Sequence, residues 1–267
     1  MIKELFLSPG DRARFISDIH FGHSKALVKE PEELAFLLDG CSHLVVCGDL
    51  SETRECSFRT EGLEKRARFL QMCLEAGVQP ILLAGNHDPD EEAGLLKVQG
   101  GRICALHGHA LFKVAAPWGW EYLKNKQACR ELIAAFPEAD TDLESRLELA
   151  RAMSVVVPPI DTRSRKSGNK LVRFLTHSAW PPERPVQIIL AWLTMMMRMR
   201  KFADRFFPEA ETVIFGHLHR RLVREKRGGR LYVNLGACFR HARCYAADVT
   251  ADGKVTVRGY TPSGYEE

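Results

Sequence analysis

The 267-residue sequence predicts an α/β fold in which helices are layered on a sheet core. Three observations carry that prediction. Short apolar runs alternate along the chain with segments of helical spacing. Several of those runs are apolar at consecutive positions, as expected of strands covered on both faces. Five of them stop abruptly at Asp, Asn or His, four beside a glycine.

The elements follow in order. "RARFISDIH" (12–20) reads as a short strand entering a polar turn. "EPEELAFLLDGC" (30–41) sets Leu34, Leu37 and Leu38 at helical spacing, with acids in its first turn and Gly40 near its end. "HLVVCGDL" (43–50) is a buried strand, and "EGLEKRARFLQMCLEAG" (61–77) an amphipathic helix closed by Gly77. "VQPILLAGNHD" (78–88), "GGRICALHGHALF" (100–112) and, much later, "TVIFGHLHRR" (212–221) are further strands with polar ends.

Composition bounds the rest. With 45% hydrophobic and 27% charged residues the chain reads as an ordinary globular protein. The start, "MIKELFLSPGDR", offers no apolar stretch of signal-peptide length, and nothing reaches the roughly eighteen apolar residues of a membrane span. The eight cysteines form no CxxC pair and several sit in apolar runs. The expectation is buried free thiols in a cytoplasmic protein. Net charge is +4, yet residues 161–205 hold ten Lys/Arg against three acids. That segment could meet phosphate, anionic lipid or nucleic acid, though a solvated helix face has the same composition.

The strand ends supply Asp18 and His20, then Asp49, then Asn86, His87 and Asp88, then His107 and His109, and finally His217 and His219. Turns favour Gly, Asn and Asp but have no reason to demand His. Side chains at the carboxyl ends of strands in an open α/β sheet converge on one crevice. Carboxylate, amide oxygen and imidazole form an O/N donor set suited to divalent Mn, Fe, Zn, Co or Ni. Asp18, His20, Asp49, Asn86, His107, His217 and His219 are too many for one tetrahedral ion, and a bridging Asp49 would let two ions share a water or hydroxide. His87, next to Asn86 and not needed as a ligand, is the expected general acid, with Asp88 the candidate to orient it.

The ordered set "SDIH", "CGDLSE", "AGNHD", "LHGH" and "FGHLH" resembles the calcineurin-like metallophosphoesterase superfamily. The resemblance implies a four-layer αββα sandwich with a two-metal site at one edge. It implies one metal on Asp18, His20, Asp49 and His219 and the other on Asp49, Asn86, His107 and His217, with manganese the first choice. It also implies hydrolysis of a phosphodiester or pyrophosphate by in-line attack of the bridging hydroxide. The tail from Arg230 onward is similar to the closing strands of that family. The Ser/Thr phosphatase branch continues its Gly-Asp with Asp-Arg-Gly, where this chain reads "GDLSETR". His23, His109, Arg163, Arg165 and Arg198 are candidate substrate contacts.

Residues 1–109 and 210–267 are thus expected to form the core, with 110–209 a mainly helical insertion or cap. "EYLKNKQACRELIAAF" and "TDLESRLELARAM" have helical spacing, and "VVVPPIDTRSRKSGNK" is broken by Pro and Gly. "PVQIILAWLTMMMRMRKFADRFF" reads as a helix carrying four of the seven methionines. Such residues suit an acyl chain or partner groove, or simply a core. A cap rich in Met and Arg at this point is similar to the UDP-2,3-diacylglucosamine pyrophosphatases. That resemblance implies a lipid substrate and peripheral membrane contact. A nuclease or nucleotide phosphodiesterase is the alternative, and a non-catalytic scaffold a further one.

Overall fold

Twelve strands assemble into two facing sheets in the computed structural model, which describes residues 1–114, 120–157, 183–217, 219, 221–225, 229–240 and 242–266. In chain order the first elements are β1 (Ile2–Leu5), β2 (Arg12–Ile16), β3 (His43–Val46), α1 (Arg59–Glu75), β4 (Gln79–Leu82), β5 (Leu95–Val98) and β6 (Ile103–Leu106). Next come α2 (Trp120–Lys124), α3 (Lys126–Ala135), α4 (Leu143–Val156) and α5 (Glu183–Phe206). The chain closes with β7 (Thr212–Phe215), β8 (Arg221–Glu225), β9 (Leu231–Leu235), β10 (Cys244–Thr250), β11 (Val255–Thr261) and β12 (Gly264–Tyr265).

One sheet has the order β12-β11-β10-β2-β3-β4 and the other β1-β5-β6-β7-β9-β8. β2, β3 and β4 are mutually parallel, with Phe15 opposite Val45 and Val45 opposite Ile81. β6, β7 and β9 are parallel in the second sheet. Alternation along each strand decides the layers. Phe15 and Val45 point between the sheets, where they meet Leu96, Ala105, Ile214 and Val233. Their neighbours Ile16, Leu44 and Val46 point outward onto Phe69, Met72 and Cys73 of α1. On the far side Leu95, Leu106 and Phe215 pack on Leu147 of α4 and on Met195, Met199 and Phe202 of α5. The result is a helix, sheet, sheet, helix sandwich. Each fully buried apolar side chain in it stabilises the fold by about 1.5–3 kcal/mol through removal from water.

The helix expected at 30–41 is a 3-10 helix over Pro31–Leu38, opened by a reciprocal Glu30–Glu33 capping box. Leu34 and Leu37, three apart, eclipse in that geometry and are both fully buried. β1 and β5, which pair in parallel at one edge, were not evident in the sequence. Met195, Met196 and Met199 are core residues, whereas the opposite face of α5 exposes Val186, Ile189, Leu190, Leu193 and Met197. All eight cysteines are free thiols. Among the described residues no helix is long and apolar enough to cross a membrane.

Candidate metal centre

The parallel strands of the two sheets deliver their carboxyl-end turns to one place. Asp18 follows β2, Asp49 follows β3, Asn86 follows β4, His107 follows β6, and His217 and His219 follow β7. These turns are tied directly together. Asp18 N–H donates to the Gly48 carbonyl at 3.1 Å, His20 N–H to that of Asp49 at 3.0 Å, and Gly216 N–H to that of His107 at 2.9 Å.

The backbone here is in an uncommon conformation. Among the described residues six non-glycines have positive φ, and five are Asp18 (55°), His20 (56°), Asp49 (56°), His217 (77°) and His219 (49°). Each such residue costs on the order of 1–3 kcal/mol and persists only where its surroundings over-determine it. The glycines answer a further need, close approach. A Cβ on Gly48 would stand 2.7 Å from the His107 ring, and Cβ atoms on Gly85 and Gly216 would collide with the carboxylates of Asp49 and Asp18.

What converges is a set of lone pairs. His107 Nδ1 lies 2.8 Å from the Cys47 carbonyl, which can only accept, so that nitrogen carries a proton. Its Nε2 faces Asp49 Oδ2, Asn86 Oδ1 and His217 Nδ1, each at 3.2 Å. On the other side of Asp49, His20 Nε2 is 3.8 Å from both Asp49 Oδ2 and Asp18 Oδ1. His219 Nε2 is 3.3 Å from Asp18 Oδ1 and 3.4 Å from His20 Nε2. Asp18 Oδ1 is buried without a hydrogen-bond donor. Asp18, His20 and His219 form one group whose ligand atoms lie within 4.8 Å of one another, and Asp18, Asp49 and His107 another. An orphaned carboxylate oxygen among imidazole nitrogens fits divalent metal ions on chemical grounds.

Electrostatics agree. Burial raises the Asp18 carboxyl, but the His107 and His219 imidazoles overcome this and bring it down to about 2. Asp49 is likewise held well below the usual carboxylate range, against burial, by His107 and His87. Burial lowers His107, yet Asp49 and Asp18 raise it to about 10. So the cluster demands a cation. A proton on His107 meets the demand, and a metal ion in the cluster would meet it too.

A model of the calcineurin-like phosphoesterase superfamily domain matches residues 12–247. The chain belongs to this superfamily. It is similar to a predicted phosphoesterase from Streptococcus pneumoniae TIGR4, at 13% identity and a TM-score of 0.40, over 95% of this chain and 91% of that one. It is similar to a cold-active protein-tyrosine phosphatase from the psychrophile Shewanella sp., at 12% and 0.44, over 99% and 81%. A Zn2+-complexed Vps29 from Entamoeba histolytica aligns at 13% and 0.37, over 94% and 99%. No curated protein sequence matches at a significant level.

Within this calcineurin-like framework, the neighbours of His87 differ from the sequence expectation. Its Nδ1 lies 2.7 Å from Glu52 Oε2, so Glu52 orients the ring, not Asp88. The Asp88 carboxylate instead accepts N–H groups of Asp49 and Leu50 at 2.8 Å and of Gly85 at 2.9 Å. All three bonds go into folding the Asp49 turn. Glu52 and its partner Arg54 carry no periodic signal in the sequence because they lie in the irregular stretch "GDLSETR". The available signal was an acid three residues beyond Asp49.

The proposed substrate contacts scatter. The His23 ring stands 5.1 Å from Phe58 and 4.7 Å from Phe239, forming an aromatic wall beside His20. Burial, then His87, lowers it to about 4. His109 is buried 5.4 Å from the His107 ring, with Nδ1 lacking a hydrogen-bond partner, and lies outside the ligand groups. Arg198 sits over Phe112 at 5.0 Å, and Phe112 is 6.1 Å from His217. Arg163 and Arg165 lie outside the described residues, as does most of "VVVPPIDTRSRKSGNK".

Proposed function

We propose that the protein is a metal-dependent hydrolase of a phosphodiester or pyrophosphate bond in a small phosphorylated substrate, working with two divalent ions. The sharing of Asp49 carries this reading: its carboxylate stands between His20 on one side and His107 on the other. Asp18, His20, Asp49 and His219 would hold one ion, and Asp49, Asn86, His107 and His217 the second. Such ions, when bound, supply charge stabilisation for phosphoryl oxygens and an acidified water, and manganese is the first candidate. The chain's own part is then proton delivery. With Nδ1–H committed to Glu52, His87 presents Nε2 to the leaving oxygen and donates its proton there. Burial would lower His87, but Asp49 and Glu52 raise it above its ordinary value, the direction a proton donor needs. The scaffold alternative predicts eroded ligands, and none of the seven positions is empty.

The test is hydrolysis of bis(p-nitrophenyl) phosphate by protein reconstituted with Mn2+, beside Asp49→Asn. Turnover lost in that variant supports the reading; equal turnover refutes it. A narrower reading, a nucleoside-diphosphate lipid cleaved at a membrane surface, draws support from the exposed apolar face of α5. Release of UMP from UDP-2,3-diacylglucosamine in detergent checks it. Cleavage of the generic diester without UMP release discards the lipid and leaves nucleotides or nucleic acid, the latter marked by steep salt dependence.

A further inference from the structure

Arg54 is held by more than surface chemistry requires. Its Nε and Nη2 grip Glu52 through both carboxylate oxygens, at 2.8 and 3.0 Å. Its Nη1 donates to the carbonyls of Ser154 and Val157, at 2.7 and 2.8 Å, at the C-terminal end of α4. Those are end-of-helix carbonyls without intrahelical donors, at the pole of the helix that favours a cation. A second arginine, on α4 itself, braces the neighbouring turn that follows His87. Arg151 of α4 donates through Nε to the Pro89 carbonyl at 2.7 Å and also to the Glu91 carbonyl. Between them, Thr53 N–H donates to the His87 carbonyl at 3.0 Å. The turn carrying Glu52 and the turn carrying His87 are therefore fixed to one another and to α4.

We propose that Arg54 is a positioning residue which makes the end of α4 set the orientation of the proton donor. The line runs from the α4 carbonyls through Arg54 and Glu52 to His87 Nδ1. It rests on the reading of His87 as general acid, and it gives the segment 110–209 a direct hold on the chemistry. The guanidinium fork matters because only a planar group with several fixed donors serves a carboxylate and two carbonyls together. A bare structural role, capping α4, predicts stability effects alone.

The experiment compares Arg54→Met, Arg54→Lys, His87→Ala and Arg54→Met/His87→Ala, all metal-reconstituted, on diesters with a good (p-nitrophenolate) and a poor (alkoxide) leaving group. Expected for Arg54→Met is a kcat loss of roughly 10- to 100-fold on the poor leaving group. The loss on the good one is much smaller, and bound metal is unchanged. Arg54→Lys recovers little, and the double variant is no worse than His87→Ala. Equal Arg54→Met losses on both substrates, or additive losses in the double variant, overturn the positioning role. Should Arg54→Met fail to fold, Arg54→Lys read on the same pair decides: no leaving-group bias there overturns it. The two readings fail separately. If His87→Ala itself shows no leaving-group bias, the general-acid assignment falls; if it does and the Arg54 variants do not, only Arg54 falls.

Discussion

His87 Nδ1 and Glu52 Oε2 are 2.7 Å apart, and Glu52 is almost wholly buried while the His87 ring remains partly accessible. A buried acceptor-only carboxylate fixes the proton on Nδ1 and leaves Nε2 as the nitrogen for the proposed proton transfer. Glu52 is itself held below its ordinary value, against burial, by the bonds to His87 and Arg54.

Glu52→Gln tests that pairing. The amide keeps an acceptor for Nδ1–H but loses one of the two charges, Asp49 and Glu52, that raise His87. An essential general acid loses activity as pH rises through its pKa, so the alkaline limb of the kcat profile should move to lower pH. Metal content should not change. A limb that stays in place would show that Glu52 does not tune the proton donor.

Asp49→Asn addresses the metals. Removing the shared charge should lower bound Mn2+ by about half or more, measured by elemental analysis, and abolish turnover. Its side-chain Oδ1 also accepts His87 N–H at 2.8 Å, a bond that the amide oxygen of Asn can keep, so the turn carrying His87 should hold. A variant that keeps both ions disproves the bridge.

The metal-stripped protein should respond to pH in a definite direction. His107 is raised to about 10 in the folded chain from an ordinary value of 6.5. Its contribution to stability is therefore full below about 6.5 and is lost as pH climbs through about 10. Thermal midpoints of chelator-treated protein should fall across that window. Added divalent metal should flatten the profile, because a bound cation replaces the proton. A flat profile without metal counts against the charge arrangement around Asp49.

Much of this was legible in the sequence, for a physical reason. Polar side chains mounted on strand ends interrupt apolar runs, so Asp18, Asp49, Asn86 and His217 announce themselves by position. Parallel pairing then brings them together whatever the details of the helices. What stayed hidden depends on contacts made across loops. Glu52 and Arg54 sit among turn residues with no periodicity, and only the folded chain shows that they face His87 and α4. Asp88 misled because adjacency to His87 in sequence is not adjacency of side chains: at the turn it points back to the Asp49 backbone. β1 is a short edge strand of mixed polarity that resembles loop, and β5 is only four residues long, too short to show a period.

Asp88→Ala separates the two carboxylates near the acid. Three buried N–H groups, from Asp49, Leu50 and Gly85, would lose their acceptor. Each buried unsatisfied donor costs about 1–3 kcal/mol, so the turn that presents Asp49 should be destabilised by several kcal/mol. Burial, with the Asp49 charge second, raises the Asp88 carboxyl to about 7, and the Asp49 N–H bond and the His107 ring oppose that rise. Because the damage falls on a candidate metal ligand rather than on proton delivery, turnover should drop by the same factor for good and poor leaving groups. Metal binding should weaken in parallel. A leaving-group bias like that of His87→Ala would return Asp88 to the role that Glu52 holds here.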